Sequence, residues 1–409
     1  MINKELLDDY TDKYGAIKIA IAGAGYMAKG LVNQISLMSG IEVIAISSKT
    51  KTKAVNLANI LSEQSVEVLD TIDELAFCDA QVVLDLTGDV EAGARLLEKC
   101  IMNNKHVMAS AETDATVGPV LNELAKEHHV VYTNMWGDEP GLTKSLYDYS
   151  ELLGFEIMAI GKFKGFHDSY ATPDSVKPWA DKSGQNPVVI SSFADGSKLS
   201  MEMTVISNST GFVADVRGMH MPEGDITDVC DLLKLEEEGG ILKQKGVLEV
   251  IRGAQPSGAV FALVRTDNEA IISSFNYYKQ GDGPNYMLYI PYHMPGIEMI
   301  YGIIELMLLK KACIKPKGKP VSDAIASAKR DLEPGMVLEQ IGGFDYFGQI
   351  EKAEIALKIK ALPLGLAPDA LVVKPVKKGE VITLDDVIIK KHEVCLRLRQ
   401  RFNEMLEGE

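Results

Sequence analysis

Lys162 and Lys164 stand two residues apart in Ala159-Ile160-Gly161-Lys162-Phe163-Lys164-Gly165. On a β-strand, alternation puts both ammonium groups on one face. Two cations that close repel, which lowers the proton affinity of at least one. Such a pair suits clamping an oxyanion, gripping a phosphate, or protonating a carbonyl oxygen as it becomes an alkoxide. The flanking glycines allow close approach of a ligand. The same pattern also fits an edge strand kept soluble by its lysines.

Other candidates fall into short polar stretches. In Gly137-Asp138-Glu139-Pro140, Asp138 or Glu139 could orient a substrate hydroxyl, or exchange a proton if buried, although an acid before Pro is also an ordinary helix start. Asn208, Arg217 and His220 lie along a glycine-punctuated polar path, and His293 sits in Pro291-Tyr292-His293-Met294-Pro295. The chemistry of these side chains makes Lys162, Lys164, Glu139 and His220 the catalytic candidates. Asn208, Arg217, His293 and Asp138 are the candidates for substrate contact. No H-x-x-x-H and no carboxylate cluster with dedicated metal spacing occurs, so metal ligands stay unassigned. A divalent ion, Mg or Mn, would be one shared with substrate.

A second chemistry is written near the N-terminus. Ile17-Lys18-Ile19-Ala20-Ile21-Ala22 leads into Gly23-Ala24-Gly25-Tyr26-Met27-Ala28. A strand, a G-x-G-x-x-A turn and a helix in that order form the dinucleotide-binding fingerprint. Gly23 permits the turn, Gly25 lets the backbone approach a pyrophosphate, and Ala28 lets the helix pack on the strand. Tyr26 and Met27 open the helix whose N-terminus faces the phosphates. About 20 residues on, an NAD-binding chain carries an acid for the ribose 2′-OH. Here Ser47, Ser48 and Lys49 fall instead, in a stretch with no acid through Lys53. Hydroxyls and ammonium groups suit a 2′-phosphate, so NADP(H) is favoured over NAD(H).

Strand signals over 42–47, 82–86, 106–109 and 130–132 alternate with helical ones over 51–61, 90–102 and 118–128. That grammar means a parallel sheet with ligands at its carboxyl edge. Thr87, Gly88 and Ala109 are then cofactor-loop candidates. Beyond 156 the pattern changes: 188–194 and 198–206 alternate about Asp195-Gly196 and predict an antiparallel hairpin. From Lys319 a weak repeat appears, Leu332–Leu338 against Val376–Ile382, both apolar-x-x-Gly-x-Val-apolar. Thr383 with Asp386 suggests a helix N-cap, and the tail reads as a charged helix.

The fold class is α/β. Residues 1–150 form a dinucleotide-binding domain, 151–318 an α+β catalytic domain with an antiparallel sheet, and 319–409 a small β-rich module. The 409 residues carry a formal net charge of −16, which disfavours nucleic acid and anionic membranes as partners. Five scattered cysteines without C-x-x-C suit reduced thiols, and the start has no secretory h-region, so a cytoplasmic protein with a small-molecule substrate is expected. The apolar run 297–309 points to a homo-oligomer, most simply a homodimer.

Gly137-Asp138-Glu139-Pro140, Ala171-Thr172-Pro173-Asp174, Asp195-Gly196-Ser197-Lys198, the stretch Asn208 to His220, Glu238-Gly239-Gly240 and Pro291-Tyr292-His293 occur in this order. In this the chain resembles the 1-deoxy-D-xylulose 5-phosphate reductoisomerase-like (DRL) proteins. The resemblance implies a Rossmann domain of homoserine dehydrogenase type, a catalytic domain and a C-terminal SAF-type module. It also implies NADPH-dependent reduction, in some members coupled to ketol rearrangement of a sugar phosphate. This chain departs from relatives at Gly165-Phe166-His167-Asp168 and at Met221-Pro222-Glu223-Gly224. Two other functions fit the residues: homoserine-dehydrogenase-like oxidation of an amino-acid alcohol, and a non-catalytic NADP(H)-binding sensor.

Overall fold

Ile17–Ala22 buries five of its six side chains, as a strand covered on both faces must. The computed structural model describes residues 2–408. In chain order the elements are α1 (Lys4–Tyr14), β1 (Ile17–Ala22), α2 (Tyr26–Ile35), β2 (Ile41–Ser47), α3 (Lys51–Ile60), β3 (Glu67–Leu69), β4 (Val82–Asp85), α4 (Val90–Met102), β5 (His106–Ala109), α5 (Ala111–Glu127), β6 (Tyr132–Asn134) and α6 (Glu139–Leu152). There follow β7 (Glu156–Lys164), α7 (Lys177–Ser183), α8 (Pro187–Ala194), α9 (Ser197–Thr210), α10 (Val229–Leu232), β8 (Val247–Arg252), β9 (Val260–Arg265), α11 (Glu269–Tyr277), β10 (Asn285–Ile290) and α12 (Met299–Leu309). The chain ends with β11 (Ser322–Ala328), β12 (Tyr346–Lys352), α13 (Ala353–Lys358), β13 (Leu371–Val372), β14 (Val387–Ile388) and α14 (Glu393–Glu407).

Two compact units result. The first holds the chain up to Gly141, Met294–Gly318 and the end from His392. Its sheet has the order β3-β2-β1-β4-β5-β6, with every pair parallel. Strand order reverses between β1 and β4, which in open α/β sheets marks the ligand crevice. Asp89 and Ser110 cap α4 and α5 by accepting from the Ala92 and Thr113 amides. Capped by Ser110, α5 starts at Ala111, seven residues before the predicted Gly118; Pro119 lies inside the helix rather than near its first turn. The terminal helix α14 docks on this unit, where the Glu91 carboxylate accepts from the Val394 and Cys395 amides at its N-terminus.

The apolar helix α12 is accounted for in the same unit. Met299, Ile303 and Leu306 are buried in the core formed with Ile19, Leu31 and Val32. Its apolarity therefore fills the chain's own core and supplies no argument for a dimer.

The second unit comprises Leu142–His293 and Lys319–Lys391. Its sheet, in the order β10-β9-β7-β8, is mixed: β7 and β8 run parallel, while β9 is antiparallel to both β7 and β10. The predicted hairpin over 188–206 is absent. Those residues form helices α8 and α9, joined at Gly196 with φ +90°. The alternating pattern misleads because α9 is buried all round, from Leu199 to Thr210. A helix without a wet face loses the 3.6-residue signature that identifies it. The strong Asp195-Gly196 turn is real, but it starts a helix: Asp195 Oδ1 accepts from the Ser197 amide at 2.7 Å.

The repeat is visible in three dimensions. Gly335 and Gly379 both adopt left-handed φ, +98° and +88°, and the two copies touch where Leu332 pairs antiparallel with Val376. Thr383 and Asp386 form a closed turn leading into β14, not a helix cap. The α8–α9 turn is locked to this region by Lys329, whose ammonium lies 2.7 Å from Asp195 Oδ2 and donates to the carbonyls of Ala171 and Gly343. Both side chains of that ion pair are almost fully buried. Lys329→Ala would strand the Asp195 carboxylate in the interior, at a cost of about 3–5 kcal/mol. Urea unfolding of the purified variant should show that loss, whereas a change below about 1 kcal/mol would mean that the pair locks nothing.

Candidate active site

In the first unit the turn after β1 is built for close approach. Gly23 has φ +106°, and a Cβ there would lie 2.2 Å from the Leu86 carbonyl oxygen. Gly25 is exposed and caps α2 with no side chain, and a Cβ on it would meet nothing within 4 Å. Ala28 is buried against the sheet. These features fit a dinucleotide: space at Gly25 and free amides at a helix N-terminus. Beside them runs a groove of about 330 Å³ lined by Gly25, Tyr26, Lys29, Lys53 and Asn56. At the end of β2 the buried Ser47 hydroxyl has no hydrogen-bond partner among the described residues. Ser48 accepts a long bond from the Thr50 amide, and Lys49 is exposed.

Of the other predicted cofactor residues, Ala109 is buried and Gly88 is exposed with φ +67°. Thr87 is engaged from its hydroxyl and amide by Asp85. Asp85 also accepts from Thr113 and Ser110, and burial raises its pKa. A second buried acid, Asp114, accepts from the Tyr132 hydroxyl and the Asn134 amide, both at 2.9 Å. Burial outweighs those two bonds and pushes the Asp114 carboxyl up to about 6. Asp138 and Glu139 are both buried at the start of α6, with Asp138 accepting from the Glu139 amide.

In the second unit, β7 presents Lys162 and Lys164 on one sheet face, as alternation requires. Lys162 has a carboxylate partner: Glu202 of α9 accepts from the ammonium at 2.8 Å. The two side chains are only 6% and 4% exposed, so each charge offsets the other's desolvation. Glu202 was not among the predicted site residues. Its signal was an acid in an apolar run, which reads as the wet face of a strand until the segment is known to be a helix.

The remaining candidates separate. Asn208 is tied to β11, its Oδ1 accepting from the Val321 and Ser322 amides and its Nδ2 donating to the Ser322 carbonyl. His220 Nδ1 lies 2.8 Å from Glu249 Oε2, a bond that raises the imidazole pKa. By register Glu249 pairs with Gly161 and shares strand parity with the core residues Val247 and Ile251. It is thus rooted on the sheet face opposite to Lys162 and Val250. Arg217 donates from Nε to Glu351, and His293 rests against Gly258, where a Cβ would lie 2.4 Å from its ring. Two further residues missed from sequence, His167 and Gln349, line a cavity with Arg217.

Residues 137–299 match the family described as oxidoreductase DRL, catalytic domain, and residues 17–135 match dihydrodipicolinate reductase, N-terminus. The matched stretches join a Rossmann-type N-terminal domain to a DRL-type catalytic domain, and the chain is an NAD(P)H-dependent oxidoreductase. No curated protein matches it. Solved structures that resemble it include scyllo-inositol dehydrogenase from Lactobacillus casei with bound NAD(H) and scyllo-inositol: 14% identity, 73% of this chain, 90% of that chain and TM-score 0.43. Another is a 3-ketoreductase from Actinomadura kijaniata in complex with NADP: 12% identity, 73% of this chain, 91% of that chain and TM-score 0.37.

The raised Asp114 pKa has a consequence for stability. A folded-state pKa of about 6 against an ordinary 3.8 means that the folded protein holds the proton more tightly. The resulting stabilisation is full below about pH 4 and disappears as pH rises through 6. Asp114→Asn removes that dependence, since Tyr132 can turn to accept from the new amide. Between pH 4 and 7 the wild type should lose on the order of 2–3 kcal/mol relative to the variant in denaturant titrations. Parallel curves would place Asp114 at an ordinary pKa.

Proposed function

We propose that the protein is an NADP(H)-dependent reductase of a small keto-polyol or its phosphate, with Lys162 as the proton donor. The observation that carries this reading is the buried Lys162–Glu202 pair on the matched catalytic domain. When bound, the nicotinamide supplies a hydride to the carbonyl carbon. Lys162 stabilises the negative charge that develops on the carbonyl oxygen and delivers a proton to it. Glu202 orients the ammonium and offsets its desolvation. Lys164, on the same face, adds positive potential for an anionic substrate.

The cofactor preference rests on the end of β2. Ser47 and Ser48 offer hydroxyls, Lys49 an ammonium, and α3 has no acid in its first turn. A 2′-phosphate finds donors there, and the acid beside them, Asp70 after Ser47's register partner Leu69, is paired with Lys51. Gly23, Gly25 and Ala28 would frame the pyrophosphate. The assignment of residues 151–318 to a catalytic domain and 319–409 to an SAF-type module belongs to this proposal, as does assembly into homo-oligomers in the cytoplasm. Coupling of reduction to isomerisation, with a substrate-shared Mg or Mn, is decided by metal dependence.

The test is NADPH oxidation with 1-deoxy-D-xylulose 5-phosphate and neighbouring keto-polyols, with and without Mg or Mn, and with NADH in parallel. Lys162→Met, which keeps the stem's volume, should lower kcat by about 10²–10⁴ while NADPH affinity stays within twofold. Near-normal turnover by that variant would remove Lys162 from the chemistry.

A further inference from the structure

A cavity of about 200 Å³ opens in the second unit past the C-terminal end of β7. Its walls come from His167, the α9 residue Ser200, the loop from Arg217 to Met221, and Gly348 and Gln349 of β12. The donors around it have capacity to spare. Arg217 uses Nε on Glu351, and no other bond of its guanidinium is formed among the described residues. Gln349 Oε1 accepts from Ser327, which turns its amide nitrogen loose as a donor; that nitrogen lies 2.9 Å from where a Cβ on Gly218 would sit. His167 Nε2 lies 3.1 Å from the Ser169 hydroxyl, and Nδ1 is buried with no partner among the described residues. With Ser169 donating to Nε2, the ring proton sits on Nδ1 and needs an acceptor.

Two cations stand near His167. Lys164 and Arg252 are register partners on adjacent strands. Burial first, then those two cations, lowers the His167 pKa to about 4, so the ring is neutral at pH 7. The acids nearby are already committed: Glu351 to Arg217, and Asp168 to the Tyr170 amide.

The loop is held under strain for this shape. Met219 and Met221 adopt left-handed φ of +70° and +52°, unusual for side chains of their size. Glu249, fully buried, accepts from the amides of His220 and Met221 and so fixes the turn. Arg252 donates from Nε to the Met221 carbonyl. A loop pinned by a buried carboxylate, with unused donors facing a cavity, is preorganised for an acceptor-rich ligand.

We propose that this cavity binds the phosphoryl or carboxylate group of a small ligand through Arg217, Gln349 and His167. Assigning that group to the substrate rests on the reductase reading; the pocket itself does not. It lies past the end of β7, the strand that carries Lys162.

The probe is inorganic phosphate, titrated into the full-length protein by calorimetry and by phosphorus NMR line broadening. Saturable binding is expected, weakened about tenfold or more in Arg217→Gln and in Gln349→Leu, with NADPH affinity close to wild type. Arg217→Lys should recover part of the binding. Absence of saturable binding, or binding unchanged in both variants, overturns the proposal. Two kinetic arms separate the sources of the group. Phosphate that raises KM for a phosphorylated keto-polyol at constant kcat places the substrate's own phosphate here; phosphate that changes kcat without competing identifies a free anion. The titration reads the pocket even if no ketone turns over.

Discussion

A carboxylate buried on a helix with no wet face must be paired, and in this protein that requirement ties α9 to β7. Glu202 is 4% exposed and Lys162 6%, and they meet at 2.8 Å. Neither charge could remain in the interior alone, because the cost of desolvating an unpaired ion is several kcal/mol. The pair therefore fixes the helix against the strand. It also delivers an ammonium to the sheet face at a defined position, which is what proton donation to a nascent alkoxide needs.

A second carboxylate works in the same way on the neighbouring strand. Glu249 draws the amides of His220 and Met221 onto β8 and holds a loop whose backbone would otherwise relax. Lys329 and Asp195 do so at the start of α9. In each case a buried charge from a regular element fixes an irregular segment, and the side chains that could touch a ligand lie on or beside those segments. The first unit uses backbone geometry instead: the Gly23 turn and the open N-terminus of α2 leave room for phosphates.

How much of this could be read from sequence depended on the range of the interaction. The Rossmann turn was legible because its small residues act on their immediate neighbours. The β7 lysines were legible because strand parity is local, and the Gly335/Gly379 repeat because both glycines answer the same left-handed turn. What failed was long-range. Glu202 is 40 residues from Lys162, and α9 hides its periodicity by being buried on every side. The partner of His220 lies 29 residues on, across a strand edge. Likewise α12 looked like a free apolar surface because the sequence does not reveal that it returns to the core of the first unit.

The most direct test of the central pair is Glu202→Gln, which keeps shape and removes charge. Steady-state NADPH oxidation should be followed against pH on whichever keto-polyol turns over. Without the carboxylate, the buried Lys162 holds its proton less tightly. The account predicts that kcat falls at least about tenfold at pH 8 and that its alkaline limb moves to lower pH by about one unit or more, with NADPH affinity unchanged. A variant with the wild-type kcat and pH profile would contradict the claim that this pair performs the proton transfer.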